Sequence, residues 1–210
     1  KKNFLLNNHE LKLRYEKNTL TVDGKGKIKF GDNSDQIEYF VKKNKNNYEF
    51  NTDLNIKKLT IKNQKILKNN FPLTKDLIDL KDHKLNVIYK DNKLYLNGEG
   101  GIRFEKDYDN IEYLIIKNKD DFNLTSEIDL KNINLKNQKI FKTFFPASKD
   151  LLNLKNHKIK IKSQDNLISF SGEGQIKIDN EYDIIDYFIS RETGGINFDI
   201  NVNLNQTKFK

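Results

Sequence analysis

The residues with the greatest capacity for chemistry are three histidines, His9, His83 and His157, since imidazole binds metals and moves protons near neutral pH. They recur at a fixed interval: 83 − 9 = 74 and 157 − 83 = 74. Acidic candidates recur with them. Glu99 and Glu173 share one repeated position, where the first copy has Lys25, and Asp35, Asp109 and Asp183 share another beside a turn. An Asp at a turn ordinarily bonds local backbone, and paired acids for glycoside chemistry need a cleft, of which the sequence gives no sign. Gly-x-Gly occurs at Gly24/Gly26, Gly98/Gly100 and Gly172/Gly174. It lies inside strand-like sequence with neither a following helix nor a Lys-Ser/Thr pair, so it is not a phosphate loop. The absence of cysteine removes thiolate metal sites, disulfides and cysteine nucleophiles. No Ser-His-Asp arrangement is found, and no enzyme is expected.

The elements that carry these residues form a tandem repeat. At an offset of 74, Asn63-Gln64-Lys65-Ile66 falls on Asn137-Gln138-Lys139-Ile140, and the two prolines, Pro72 and Pro146, coincide. The chain divides into the end of one unit (1–8), two full units (9–82 and 83–156) and part of a third (157–210). Units repeated at fixed period usually stack and share a continuous core. With a start at Lys1 and no Met, the chain is expected to be a piece of a longer protein.

Within each unit the apolar period is two, the signature of strands with one buried face. The first strand carries Leu11 and Leu13, then Leu85 and Val87, then Ile159 and Ile161. A Lys-Asn or Asp-Asn turn follows, at Lys17-Asn18, Asp91-Asn92 and Asp165-Asn166. The second strand carries Leu20, Val22, Ile28 and Phe30; Leu94, Leu96, Ile102 and Phe104; and Ile168, Phe170, Ile176 and Ile178. The third carries Ile37, Tyr39 and Val41; Ile111, Tyr113 and Ile115; and Ile185, Tyr187 and Ile189. The fourth carries Phe50 and Leu54; Leu124 and Ile128; and Phe198, Ile200 and Val202. It is expected to continue, or to bend into a short fifth, through Leu59-Ile61 and Ile133-Leu135. Short turns predict antiparallel neighbours in a meander. Segments 62–82 and 136–156 break the alternation and are expected to be crossovers holding one or two helical turns, since Pro is barred from a central strand. The histidines then open the same strand in successive units. Four or five strands at about 4.8 Å hold them roughly 19–24 Å apart, which assigns them structural roles.

The predicted fold is therefore all-β, tandem antiparallel meanders forming one long curved sheet with an apolar concave face. Such a face must be covered by another layer, a partner or a ligand. The glycines Gly24, Gly26, Gly98, Gly100, Gly172 and Gly174 lie on it at mid-strand, where they add no packing area. Two readings are open: a bend that closes a filled sandwich or flattened barrel, or a cleared groove floor against which acyl chains lie.

Charge adds less than its sign suggests. The net charge is +8, with 38 basic residues against 30 acidic ones, a balance that could favour phosphate or a lipid headgroup. Arginine, the residue favoured for bidentate recognition of phosphate and base edges, occurs three times against 35 lysines and 30 asparagines. The aromatic residues Phe30, Tyr39 and Phe50 alternate inward rather than forming an exposed stacking platform. A nucleic-acid partner is not expected.

Tandem units of long meandering strands, an irregular segment after each, a Gly-x-Gly strand and one apolar face together resemble the AsmA-like superfamily, TamB- and YhdP-type proteins in particular. These are related to bridge-like lipid transfer proteins built from repeating β-grooves. The stretch Tyr187-Phe188-Ile189 and the run Ile196-Asn197-Phe198-Asp199-Ile200-Asn201-Val202-Asn203-Leu204-Asn205 fit that pattern. The resemblance covers the whole chain as a repeat pattern rather than through a short motif. It implies a taco-shaped groove in the periplasm, anchored in the inner membrane by a part of the chain not present here. Neighbouring repeats would extend the groove, and a phospholipid or other diacyl lipid would pass along it toward the outer membrane. It implies no catalytic residue, metal or cofactor. The family unit usually has five strands and a loop, against four long strands here. The other expectation is a structural or adhesive β-repeat module whose apolar face is sealed by its own side chains.

Overall fold

In a computed structural model describing residues 5–29, 34–45, 47–146, 148–165 and 167–204, the chain forms twelve antiparallel strands in one open sheet. The spatial order of the strands is the chain order. The first unit supplies β1 (Leu5–Glu16), β2 (Thr19–Lys29), β3 (Ser34–Asn44) and β4 (Asn47–Lys62). Helix α1 (Lys65–Asn70) leads to β5 (Leu77–Lys90), β6 (Lys93–Arg103), β7 (Asp109–Lys117) and β8 (Phe122–Lys136). Helix α2 (Lys139–Phe144) leads to β9 (Leu151–Gln164), β10 (Leu167–Lys177), β11 (Tyr182–Glu192) and β12 (Gly195–Asn203). Asp91 and Asn92, at φ 51° and 61°, make the two-residue turn between β5 and β6, as a type I′ hairpin requires.

Two expectations need correction. Segments 62–82 and 136–156 are not crossovers, because β4 pairs directly with β5 and β8 with β9. Each is an elongated hairpin connection with one short helix, and the next strand already begins at Leu77 or Leu151. Asn63 holds the connection together. Its side-chain amide donates to Thr74 Oγ1 at 2.9 Å and to the Lys75 carbonyl at 2.7 Å. Asn137 repeats this with Ser148 Oγ at 2.8 Å and the Lys149 carbonyl at 2.7 Å. The Asn-Gln-Lys-Ile motif is thus a fastening, not a site.

The histidines, second, do not open strands. His83 lies in the middle of β5, at a β-bulge. Lys81 pairs with Gly101 and Lys84 with Glu99, so Asp82 and His83 together oppose Gly100. Asn8-His9 oppose Gly26 and Asn156-His157 oppose Gly174 in the same way. The residue before each histidine takes the strain, at φ 50° for Asn8 and 47° for Asp82 and Asn156.

The bulge inverts the alternation of its strand. Ile78 and Leu80 share a face with His83 and Leu85, although the spacing changes parity between them. In β4 the inversion falls between Ile56, opposite His83, and Leu59, opposite Leu80. This explains the apparent fifth strand: Leu59-Ile61 and Ile133-Leu135 continue β4 and β8 past an inversion. The buried Asp35 accepts the Lys57 amide at 2.8 Å, and Asp109 accepts the Lys131 amide at 2.8 Å, both just past it. Each unit therefore has four strands.

Candidate functional site

Most apolar residues of the strands lie on one face, the concave one, and in register, whereas Phe40, Leu114 and Phe188 lie on the other face. One row crosses the sheet through Gly26, Ile37, Leu54, Leu85, Gly98, Tyr113, Ser126, Ile161, Phe170, Ile189 and Phe198. The row beside it contains Leu11, Gly24, Tyr39, Thr52, Val87, Leu96, Ile115, Leu124 and Ile168. A third, through Leu13, Val22, Val41, Phe50, Tyr89 and Leu94, lies towards the β1–β2 and β5–β6 turns. Leu20 extends this face beside Tyr15 and Lys43. Phe30 lies outside the described residues. Eleven inter-strand steps at about 4.8 Å give the lane a length of roughly 53 Å.

Across its width the lane has two halves. At the helix-bearing base, Ile78, Ile102, Phe104, Leu130, Ile133, Leu152, Leu154, Ile176, Ile178 and Ile185 form one core, with Leu67 and Phe71 from the first connection and Phe141 and Phe145 from the second packed on it. Ile111, Ile128, Ile159, Tyr187 and Val202 line its margin, and Ile28 with Leu54 and Ile56 forms a smaller core in the first unit. Towards the β1–β2 turn nothing among the described residues covers the face. Leu13 is 66 % exposed, whereas Ile178 at the base is 1 % exposed. Helix α1 also comes close to β8, which is not adjacent to it in the chain.

The glycine positions are not empty floor. A methyl group at Gly98 would sit 2.2 Å from Cζ of Tyr113, and one at Gly24 2.2 Å from Cζ of Tyr39. At Gly172 it would lie 2.4 Å from the Tyr187 hydroxyl. The second glycine of each pair makes room for the bulge histidine, with Nδ1 of His9, His83 and His157 at 2.4, 2.6 and 2.5 Å from such a methyl at Gly26, Gly100 and Gly174. The rings stack over the glycines at centroid distances of 5.6 Å for His83–Tyr113 and for His157–Tyr187. Nε2 of His83 lies 3.0 Å from the Tyr113 hydroxyl, and His157 lies 3.3 Å from Tyr187. The space left by the glycines is therefore filled by the chain's own aromatic rings, which corrects both sequence readings of these residues. Burial holds the His157 imidazole down at about 4 and pushes the Tyr187 phenol up to about 12. It lowers His83 and raises Tyr113 in the same sense.

Sequence reasoning missed two polar members of the lane, Thr52 and Ser126, because only apolar types were followed. Both are buried. Thr52 donates to the Glu38 carbonyl at 2.8 Å and Ser126 to the Glu112 carbonyl at 3.0 Å. Their hydroxyls bond to carbonyls of the neighbouring strand. The third copy has Ile200 at this position.

The opposite face is mostly polar, with cross-strand ion pairs such as Lys84–Glu99 at 2.9 Å, Lys25–Glu10 at 3.0 Å and Arg103–Asp79. Two depressions there, of about 560 and 290 Å³, are lined chiefly by residues of this face, including Glu10, Lys12, Lys25 and Glu38 in the larger and Asn86 and Glu99 in the smaller. Acids outnumber bases around them, Glu10, Asp23, Glu38 and Asp53 against Lys12 and Lys25 in the larger, and Lys25 is paired with Glu10. The site with a consistent chemistry is the apolar lane, an open trough rather than a closed cavity. Comparison with protein-family models, with curated proteins and with solved structures returns no match.

Proposed function

We propose that this chain is a segment of a non-enzymatic lipid conduit, in which the acyl chains of a phospholipid or other diacyl lipid lie on the lane while the headgroup stays in water. The observation that carries this reading is the predominantly apolar register that recurs across the strands, uncovered among the described residues along the half away from the helices. Each methylene that leaves water there contributes about 0.8 kcal/mol. Because successive units present similar surface, displacement along the lane exchanges one such contact for another, which suits sliding better than storage. Thr52 and Ser126 bond their hydroxyls to strand carbonyls, which keeps those donors out of the path. The likeness to the AsmA-like superfamily supplies the setting: the periplasm, between inner and outer membranes, with the membrane anchor in another part of the chain.

The sealed base favours the second reading, a structural or adhesive module that needs no ligand. Lipid extraction separates the two. Protein purified in mild detergent-free buffer should release phospholipid to mass spectrometry as a conduit, and none as a sealed module. Transfer between donor and acceptor vesicles carrying a fluorescent phospholipid tests movement directly. Leu96→Asp places a charge in the half-buried part of the lane and should slow transfer at least about tenfold, the effect of about 1.4 kcal/mol. Ile102 is unsuited to this test because it belongs to the buried base core. Glu99→Gln, on the polar face of the same strand, is the control and should leave transfer unchanged. Undiminished transfer by Leu96→Asp, with the fold intact by circular dichroism, overturns the conduit.

A further inference from the structure

Among the described residues and away from the bulges, the strands place charge on the concave face at two repeated positions. One holds Asp35, Asp109 and Asp183, buried at the base opposite Ile28, Ile102 and Ile176. The other holds Lys43, Lys117 and Arg191, exposed at the rim of the open half. These three stand on β3, β7 and β11, four strands apart, or roughly 19 Å at about 4.8 Å per strand.

Each cation is set between apolar side chains of the same face. Lys43 pairs with Leu20 and Tyr48, Lys117 with Leu94 and Phe122, and Arg191 with Ile168 and Ile196. None of the three belongs to an ion pair among the described residues. Asp121, in the turn after β7, accepts from the Asn118 side chain at 2.8 Å instead. The third copy exchanges lysine for arginine and keeps the sign, whereas the position before it, on the opposite face, holds Lys42, Ile116 and Ser190. A long basic side chain lays its methylenes on apolar surface and carries its charge past the edge. The base is roofed by the two connections, so the rim is where uncovered apolar surface meets water.

We infer that Lys43, Lys117 and Arg191 bind the phosphate of an anionic phospholipid, one cation to a unit, while the acyl chains lie on the lane. The inference rests on the conduit reading and adds the headgroup class to it, a phosphodiester with net negative charge. Ammonium and guanidinium groups donate charge-assisted hydrogen bonds to phosphate oxygens. A diacylglycerol with the same acyl chains has no phosphate to accept them.

The test is lipid capture from phosphatidylcholine vesicles that hold equal amounts of phosphatidylglycerol and diacylglycerol with identical acyl chains. After the protein is separated from the vesicles, mass spectrometry should find phosphatidylglycerol in excess over diacylglycerol. The triple variant Lys43→Gln, Lys117→Gln and Arg191→Gln should lower that ratio about tenfold, the effect of one charge-assisted hydrogen bond, with diacylglycerol capture and circular dichroism unchanged. Lys43→Arg, Lys117→Arg and Arg191→Lys together should keep the ratio. Lys12→Gln, Lys90→Gln and Lys162→Gln remove the same charge from the opposite face and should keep it too. Inorganic phosphate, compared with chloride at equal ionic strength, should displace no lipid. An unchanged ratio in the first variant, or an equal fall in the opposite-face variant, overturns the headgroup assignment and leaves the conduit standing. Displacement by inorganic phosphate overturns it as well, since the cations then take free phosphate. Absence of every lipid from the parent protein overturns the conduit, and this inference with it.

Discussion

The base of the apolar lane and its open half are made from the same strands, by the same alternation, and differ only in what stands over them. At the base, the connections after β4 and β8 fold back and place Leu67, Phe71, Phe141 and Phe145 on the sheet, leaving Leu152 and Leu154 3 % and 4 % exposed. Further along the strands, Val87, Leu94 and Leu96 have sheet neighbours and, among the described residues, no roof. The bulge at Asp82-His83 marks the division in β5, and Asn156-His157 marks it in β9. The difference teaches that the lane is neither a sealed core nor an open one: two short helices give the sheet enough buried area to stand, and the remaining width is left available.

The largest expected effect follows from that division. Leu154→Ala should destabilise the fold by about 3 kcal/mol, since it removes a fully buried side chain whose neighbours cannot collapse onto the gap. Leu94→Ala should cost about 1 kcal/mol or less, because water already reaches part of that site. Urea unfolding of both variants, read at equal slope, measures the contrast. Equal losses would mean that the open half is closed in solution.

A second test uses pH. The native pKa of His157 is about 4, below its ordinary 6.5, because burial disfavours the charged ring. A depressed histidine contributes stability that is fully present above pH 6.5 and is lost as pH falls towards 4, where the native ring must also accept the proton. The shift corresponds to about 3 kcal/mol across that window. His157→Gln should flatten the fall between pH 7 and pH 4 relative to the parent, with the carboxylates common to both proteins cancelling in the difference. His83, shifted in the same direction, leaves a residual slope in the variant.

Most of this architecture was legible in the residues. Alternation in β2, β6 and β10 runs unbroken from Leu94 to Phe104, so face and partner could be read directly. The 74-residue offset assigned every equivalent position. What the sequence concealed has one physical origin, the bulge. It adds a residue, inverts the parity of β1, β5 and β9, and thereby disguised strand starts, made the continuation of β4 resemble a fifth strand and displaced the histidines from strand ends to mid-sheet. The roofing residues Leu67, Phe71, Phe141 and Phe145 were hidden for another reason, since six-residue helices carry too little periodicity to show which face they bury. The partnership of glycine and tyrosine required the cross-strand register, which fixes Gly98 opposite Tyr113.

That partnership gives the smallest and most local prediction. Gly98→Ala drives a methyl group into the Tyr113 ring, where the nearest atom would stand at 2.2 Å. The ring is flanked by His83, so it cannot swing aside without breaking the 3.0 Å contact between the two. Overpacking of this kind costs about 2 kcal/mol. Tyr113→Leu alone should also destabilise, by leaving the glycine bare and His83 without its hydroxyl partner. The two changes together should cost less than their sum, because the methyl then occupies space the ring has vacated, and a coupling of about 1 kcal/mol is expected. Additive losses would show that the tyrosine rests elsewhere in solution and that the glycines are open floor after all.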